Sequence, residues 1–277
     1  MSDQFPISAY LQQWLERAGS RAYPRLLTAI NDATPMAVQH AEMTYLRYSH
    51  RVGTLLPIGY WRLAESGSST AADSSSFGRN GTYNGGYTQQ VPSLVFYAWS
   101  EDDNKATTFN GTSGYVSVPH AAGLSITTAV SVEAWFQRTK SGAVQPIVGK
   151  GLSTTHANEN YSMWINASNE LEVYFGNGSA SVTNSTKPSI DTGIHHAVGT
   201  YDGATLNLWL DNGLASQDSV ALLMAGNSNP LRIAGDGTNF FGGTVDEVAI
   251  YNTDISTEVD RHYKAGVGVP VPIAYAR

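Results

Sequence analysis

Adjacent carboxylates, histidines and outward-facing aromatics are the residues through which this chain could do chemistry. Asp246 and Glu247 stand side by side in the apolar run "TVDEVAIY". Hydrolysis of a glycoside needs two carboxyl groups on one face, about 5 Å apart in retaining enzymes. Neighbours in a strand point to opposite faces, so this pair reads as unsuited to that role, and no E-x-D-x-x-E run is present. His195 and His196 alternate in the same way, while His120 and His156 stand alone, outside any nucleophile–base context. The residues predict a protein that is not an enzyme.

The aromatics are more suggestive. In "TLNLWL", Leu206, Leu208 and Leu210 must share the core face, which sends Asn207 and Trp209 to the other side. The same rule puts Leu171, Val173 and Phe175 inside with Glu172 and Tyr174 outside, and Met163 and Ile165 inside with Trp164 outside. Flat rings beside amide and carboxylate groups suit a sugar, whose C–H face stacks while its hydroxyls form hydrogen bonds. Trp164, Glu172, Tyr174, Asn207 and Trp209 are therefore the candidate glycan-binding residues. The alternative is a face covered by protein, since Trp and Tyr are enriched at interfaces too.

The elements that must carry these residues are strands. Charged residues make up 14% of the 277, against roughly 25% in ordinary soluble domains. Turn formers take their place. Asn-Gly pairs begin at Asn80, Asn84, Asn110, Asn177 and Asn212, and Asp-Gly pairs at Asp202 and Asp236, each marking a tight connection that needs positive φ. "HHAVGTY-DGA-TLNLWL-DNG-LASQDS" reads as three antiparallel strands joined by two short turns. Many such strands with little helix between them predict a mainly β chain, a two-sheet antiparallel sandwich.

Residues 1–55 differ in kind, with helix formers and nearly balanced charge, and read as a small α-helical N-terminal unit for anchoring or oligomerisation. Val38, Ala41, Tyr45, Tyr48, Val52 and Leu55 recur at spacings of three and four, the seam of a helix packed along a partner. The partner is either another copy of the chain or the neighbouring N-terminal helix. Residues 267–277, with Pro270 and Pro272, read as an extended tail. A net charge of −7 argues against a nucleic-acid partner. The absence of cysteine excludes disulfides and thiolate metal sites. No 18-residue apolar run or secretory leader is seen, so no membrane insertion is expected and the chain is expected to stay in the cytosol unless carried out as part of a particle.

Residues 56–266 resemble the laminin-G-like, concanavalin A-like lectin/glucanase jelly-roll domains. The resemblance rests on "PIGYWRLAE" with "AADSSSFGRNGTYNGG", on "ATTFNGTSGYVSVP" and "SVEAWFQ", on "HHAVGTYDGATLNLWLDNG" and on "FGGTVDEVAIYNTDISTEVDRHYKAG". It implies a jelly roll used for binding, adhesion or spacing. It also implies a structural Ca²⁺ at Asp73 and Asp246, with carbonyls near Gly78 to Asn80 completing the oxygen shell. The opening motif is similar to the form of this domain in bacteriophage virion proteins, notably minor tail proteins. That implies a non-enzymatic virion component, favoured as a homotrimer, held by other virion proteins through its N-terminal unit and presenting the sandwich to host-surface glycan. A capsid decoration protein and a free carbohydrate-binding lectin are the alternatives.

Overall fold

The structure, a computed structural model, describes residues 48–95, 104–151, 159–178, 181–185 (backbone alone), 189–219 and 221–269. All belong to one compact unit, Leu46–Val271. Val38, Ala41 and Tyr45 of the helical seam lie outside the described residues, as does the tail from residue 270.

Two antiparallel sheets face each other. The first runs β14 (Gly213–Ser219), β13 (Thr205–Leu210), β12 (Ile194–Tyr201), β7 (Val130–Arg138), β16 (Gly242–Tyr251), β5 (Lys105–Asn110) and β4 (Tyr87–Pro92); β1 (Gly59–Trp61) adds to β16 beyond the end of β5. The second runs β11 (Ser181–Ser185), β10 (Leu171–Gly176), β9 (Tyr161–Ile165), β8 (Gln145–Lys150), β15 (Leu231–Ile233), β6 (Tyr115–Val118), β3 (Gly81–Asn84) and β2 (Thr70–Ala71). This is the sandwich expected. The three-stranded meander is β12, β13 and β14, with Asp211 and Asn212 at φ 49° and 68° in the tight turn.

Alternation gives the core. Met163, Ile165, Leu171, Val173, Phe175, Leu206 and Leu208 are fully buried between the sheets with Trp61, Phe109, Phe136 and Ile250. Gly199 of β12 lets the sheets pack tightly at this point, because a Cβ there would lie 2.6 Å from Val173 Cγ1.

A second apolar cluster covers the outer face of the first sheet. Helix α1 (Tyr48–Thr54) and helix α2 (Val259–Gly266) pack there, Tyr48, Val52, Val259 and Ala265 closing over Tyr60, Trp135, Val198 and Tyr251. Tyr48 and Val52 are fully buried within their own chain and Leu55 packs beside them, so these three seam positions join α1 to the sandwich. The sandwich unit accordingly begins before residue 56. The first tail residues finish α2, Val269 N donating to Lys264 O at 2.8 Å.

A buried carboxylate fastens both helices. Glu133 of β7 is unexposed. Its Oε1 accepts from Tyr48 Oη of α1 and His196 Nε2 of β12, both at 2.7 Å, and its Oε2 accepts from Tyr251 Oη of β16 at 2.7 Å. His262 Nδ1 of α2 reaches both oxygens at 3.0 and 3.1 Å. Burial alone would raise the Glu133 pKa, but the charge of His262 and the imidazole hydrogen bonds outweigh it and hold the carboxyl well below its usual range.

The polar ribbon after β1 is held by hydrogen bonds. Asp73 Oδ1 accepts from Tyr60 N and Ser75 N, each at 2.9 Å, and Oδ2 from Ser75 Oγ at 2.8 Å and Arg79 N at 2.7 Å. Trp61 Nε1 donates to Arg79 O at 3.0 Å, and Tyr83 Oη to Glu65 Oε2 at 2.6 Å.

Candidate functional site

Two turns and a short loop build a pocket of about 550 Å³ on the outer face of the second sheet, lined by Val144, Trp164, Asn166, Ala167, Ser168, Glu172 and Asn239. The first turn joins β9 to β10. Asn166 Oδ1 accepts from Ser168 N at 2.9 Å and Glu170 N at 3.0 Å, an Asx arrangement that folds the chain back on itself. Its Nδ2 donates to Glu170 Oε2 at 2.9 Å and Glu172 Oε1 at 2.7 Å. The second turn joins β15 to β16. Asp236 Oδ1 accepts from Thr238 N and Asn239 N, both at 2.6 Å, and presents Asn239 at the rim. Val144 enters from the β7–β8 loop, which Gly142 N ties to Asn169 Oδ1 at 2.9 Å.

Trp164 and Glu172 are directly opposed across the β9–β10 ladder. The indole is only 1% exposed and donates to Ser162 Oγ at 2.7 Å, Ser162 in turn donating to Glu159 Oε2 at 2.8 Å. Trp164 is thus the fixed floor of the pocket and offers no open stacking face, contrary to the expectation from alternation. Tyr174 Oη donates to Glu172 Oε2 at 2.6 Å, and burial together with that carboxylate pushes the phenol pKa upward.

The five candidate glycan residues divide between opposite sides of the sandwich. Trp164, Glu172 and Tyr174 lie on the second sheet, whereas Asn207 and Trp209 lie on β13 of the first. Asn207 is buried, donating to Thr200 Oγ1 at 3.2 Å and accepting from Gln217 Nε2 at 2.7 Å, and Trp209 packs into the cluster beneath the helices. They form no site with the others, because alternation assigns a face within each sheet but not which sheet. Asn166, Ser168, Val144 and Asn239 were not among the candidates. The turn at Asp236 was legible as Asp-Gly, but only the fold brings it beside the β9–β10 turn.

The resemblance implies calcium, and the donor sets of Asp73 and Asp246 do not fit it. All four bonds to Asp73 come from N–H or O–H groups whose hydrogens point at the carboxylate, the environment of an anion and not of a cation's ligand. Asp246 Oδ2 is likewise taken by Ser93 Oγ at 2.6 Å and Leu94 N at 2.8 Å. Strand β1 separates the two acids, pairing with β16 along one edge and bridging to Asp73 from Trp61 along the other. No group of three or more potential metal ligands occurs among the described residues.

Asp246 and Glu247 also depart from the alternation argument. The β16 register against β7 shifts between Asp246 and Ala249, and Glu247 adopts φ 52°. This bulge turns both carboxyls to one side, where Asn104 Nδ2 lies 3.5 Å from Asp246 Oδ1 and 2.8 Å from Glu247 Oε1. Both side chains have zero exposure. Tyr60 Oη and Arg62 Nε (3.3 Å) donate to Glu247. Burial first, and then the neighbouring Glu247, raise the Asp246 pKa well above its usual value. The pair is enclosed and bonded within the fold, which leaves no room for a scissile bond between the carboxyls.

Residues 110–258, over half of the chain, match the concanavalin A-like lectin/glucanases superfamily in its laminin-G form. The chain belongs to this family, and its fold is lectin-like. A search of curated proteins returned no match. Among solved structures it is similar to botulinum neurotoxin type C, which depends on interaction with two ganglioside molecules to get into cells (TM-score 0.59, 12% identity, 78% of this chain and 52% of that one). It is similar to the binding domain of Paraclostridial Mosquitocidal Protein 1 (0.58, 15%, 77% and 53%), and to Trypanosoma rangeli sialidase in complex with sialic acid (0.55, 13%, 82% and 38%). The chain spans about half the length of the first two, and identities this low establish a shared fold alone.

Proposed function

We propose that this protein binds carbohydrate without cleaving it, through the pocket over Trp164, and that it does so as a bacteriophage virion component of minor-tail or fibre type. The observation that carries the binding reading is the pocket itself. It has a rigid indole floor, with the carboxylate of Glu172 on β10 and the amides of the turn residues Asn166 and Asn239 among its lining, the few convergent polar groups typical of a small-ligand site. Binding without hydrolysis is favoured because the carboxyl pair Asp246 and Glu247 is enclosed elsewhere in the fold. The virion setting is supported by the opening motif "PIGYWRLAE" with "AADSSS", and in this reading the stretch holding Val38, Ala41 and Tyr45 docks the chain to other virion proteins or to two further copies.

The test of binding is a glycan array probed with the wild-type chain and with Glu172→Ala and Asn239→Ala. Signal on at least one glycan class, reduced tenfold or more in both variants, is expected. An array without signal, or signal indifferent to both substitutions, overturns the reading. Immunogold labelling of purified particles tests the virion assignment, labelled tails being the expected result.

A further inference from the structure

We infer that the pocket selects a neutral pyranose and turns away acidic sugars, with Glu172 accepting from two neighbouring hydroxyls; this inference rests on the carbohydrate reading above. Glu172 is half-buried and ionised carboxylates are acceptors with about four lone-pair positions. Asn166 Nδ2 occupies one oxygen and Tyr174 Oη the other. One position remains on each oxygen, directed away from those donors. Two parallel acceptors on one carboxylate match two adjacent ring hydroxyls, and a carboxylate so placed opposes an anionic ligand.

The charge around the pocket points the same way. Glu170 accepts from the same Asn166 amide as Glu172, a second carboxylate beside a lining residue. None of the seven lining residues is basic. The basic side chains on the neighbouring elements are turned elsewhere. Arg138 is buried and donates to Asp191 O, Lys140 O, Ile190 O and Asn169 Oδ1. Lys140 Nζ donates to Gly111 O at 3.1 Å. Arg232 lies over the Tyr115 ring, its guanidinium carbon 5.5 Å from the centroid, and donates to Asp236 O. No described cation is therefore poised to receive a sugar carboxylate, although one relative of the fold is seen with sialic acid.

The experiment is a ligand-observed NMR titration with methyl glucoside, galactoside and mannoside, each set against its uronate, in which CH₂OH is replaced by carboxylate, and with N-acetylneuraminic acid. At least one neutral hexoside should bind, its uronate at least tenfold more weakly and N-acetylneuraminic acid no better. In Glu172→Gln the neutral sugar should lose about tenfold and the neutral-to-acidic ratio should fall towards one, in a protein that still unfolds in a single cooperative thermal transition. A uronate or N-acetylneuraminic acid binding as well as the neutral hexosides, in wild type, overturns this inference while leaving the carbohydrate reading in place. Binding by none of these sugars and none on the array overturns both.

Discussion

Replacing Glu133 by Gln should loosen α1 and α2 together. The carboxylate receives donors from Tyr48, His196, His262 and Tyr251 at 2.7 to 3.1 Å with no exposure to water. Gln keeps the shape but has one acceptor oxygen, and its amide points hydrogens at groups that also donate. Whichever way the amide turns, at least two of the five hydrogen bonds are then lost. Hydrogen bonds to a buried charge are worth about 1.5–3 kcal/mol each, so the loss is about 3–5 kcal/mol, the scale of breaking a buried ionic pair. That is a large part of the 5–15 kcal/mol by which domains typically hold together, and it corresponds to a fall of roughly 10 °C in Tm. Denaturant unfolding gives the global figure. Hydrogen exchange locates it, because protection should drop first in Tyr48–Thr54 and Val259–Gly266. The pH dependence follows from the depressed carboxyl. Its stabilisation is complete above the unfolded value of 4.5 and is lost as pH falls from there through the folded value, so the gap between wild type and variant should close in acid. A loss under about 1 kcal/mol, with exchange in both helices unchanged, would refute the argument.

Asp246 carries the opposite sign. Its folded pKa lies above the ordinary 3.8, so folding resists its ionisation and wild-type stability drains away as pH rises from there through the folded value. Asp246→Asn should gain in Tm relative to wild type between pH 4 and 7, and a difference flat across that range in thermal melts would contradict the assignment. Chelation should leave the melting temperature of the wild type unchanged, whereas Asp73→Ala, which strips the acceptor from four donors, should cost about 2–4 kcal/mol by denaturant unfolding. A marked fall in Tm with chelator would restore calcium to the ribbon.

Much of the fold was legible because period-2 alternation and turn chemistry are local. The leucines of "TLNLWL" and the Asn-Gly after them require a hairpin with one face inside, and β13 and β14 follow. Helix α2 escaped because "VDRHYKAG" is short and its buried side is unusual. His262 faces Glu133, and Gly266 lies against Trp135, where a Cβ would fall 2.1 Å from Cζ2. Nothing in an eight-residue window announces that a histidine will be an interior residue. The same holds for Tyr48 and Val52, whose spacing predicts a helix correctly while leaving open what the helix packs against.

The site was legible only where both partners sit on one hairpin. Trp164 and Glu172 share the β9–β10 ladder, so alternation placed them together, and Tyr174 with them. Trp209 obeys the same rule on the other sheet, where the outward face is roofed by helices. Asp246 and Glu247 show how the rule itself fails. One residue in the left-handed region inserts an extra step, and two neighbours that should diverge converge on Asn104. Positive φ at a non-glycine residue costs energy that the surrounding contacts must offset, and no sequence pattern at 246–247 announces it. The bulge gathers two acids on one side of a strand, the first requirement of a glycosidase, yet encloses both behind Tyr60, Ser93 and Asn104. Carboxyl pairing alone therefore does not separate a hydrolase from a binding module on this fold; exposure of the pair does, and here neither member has any.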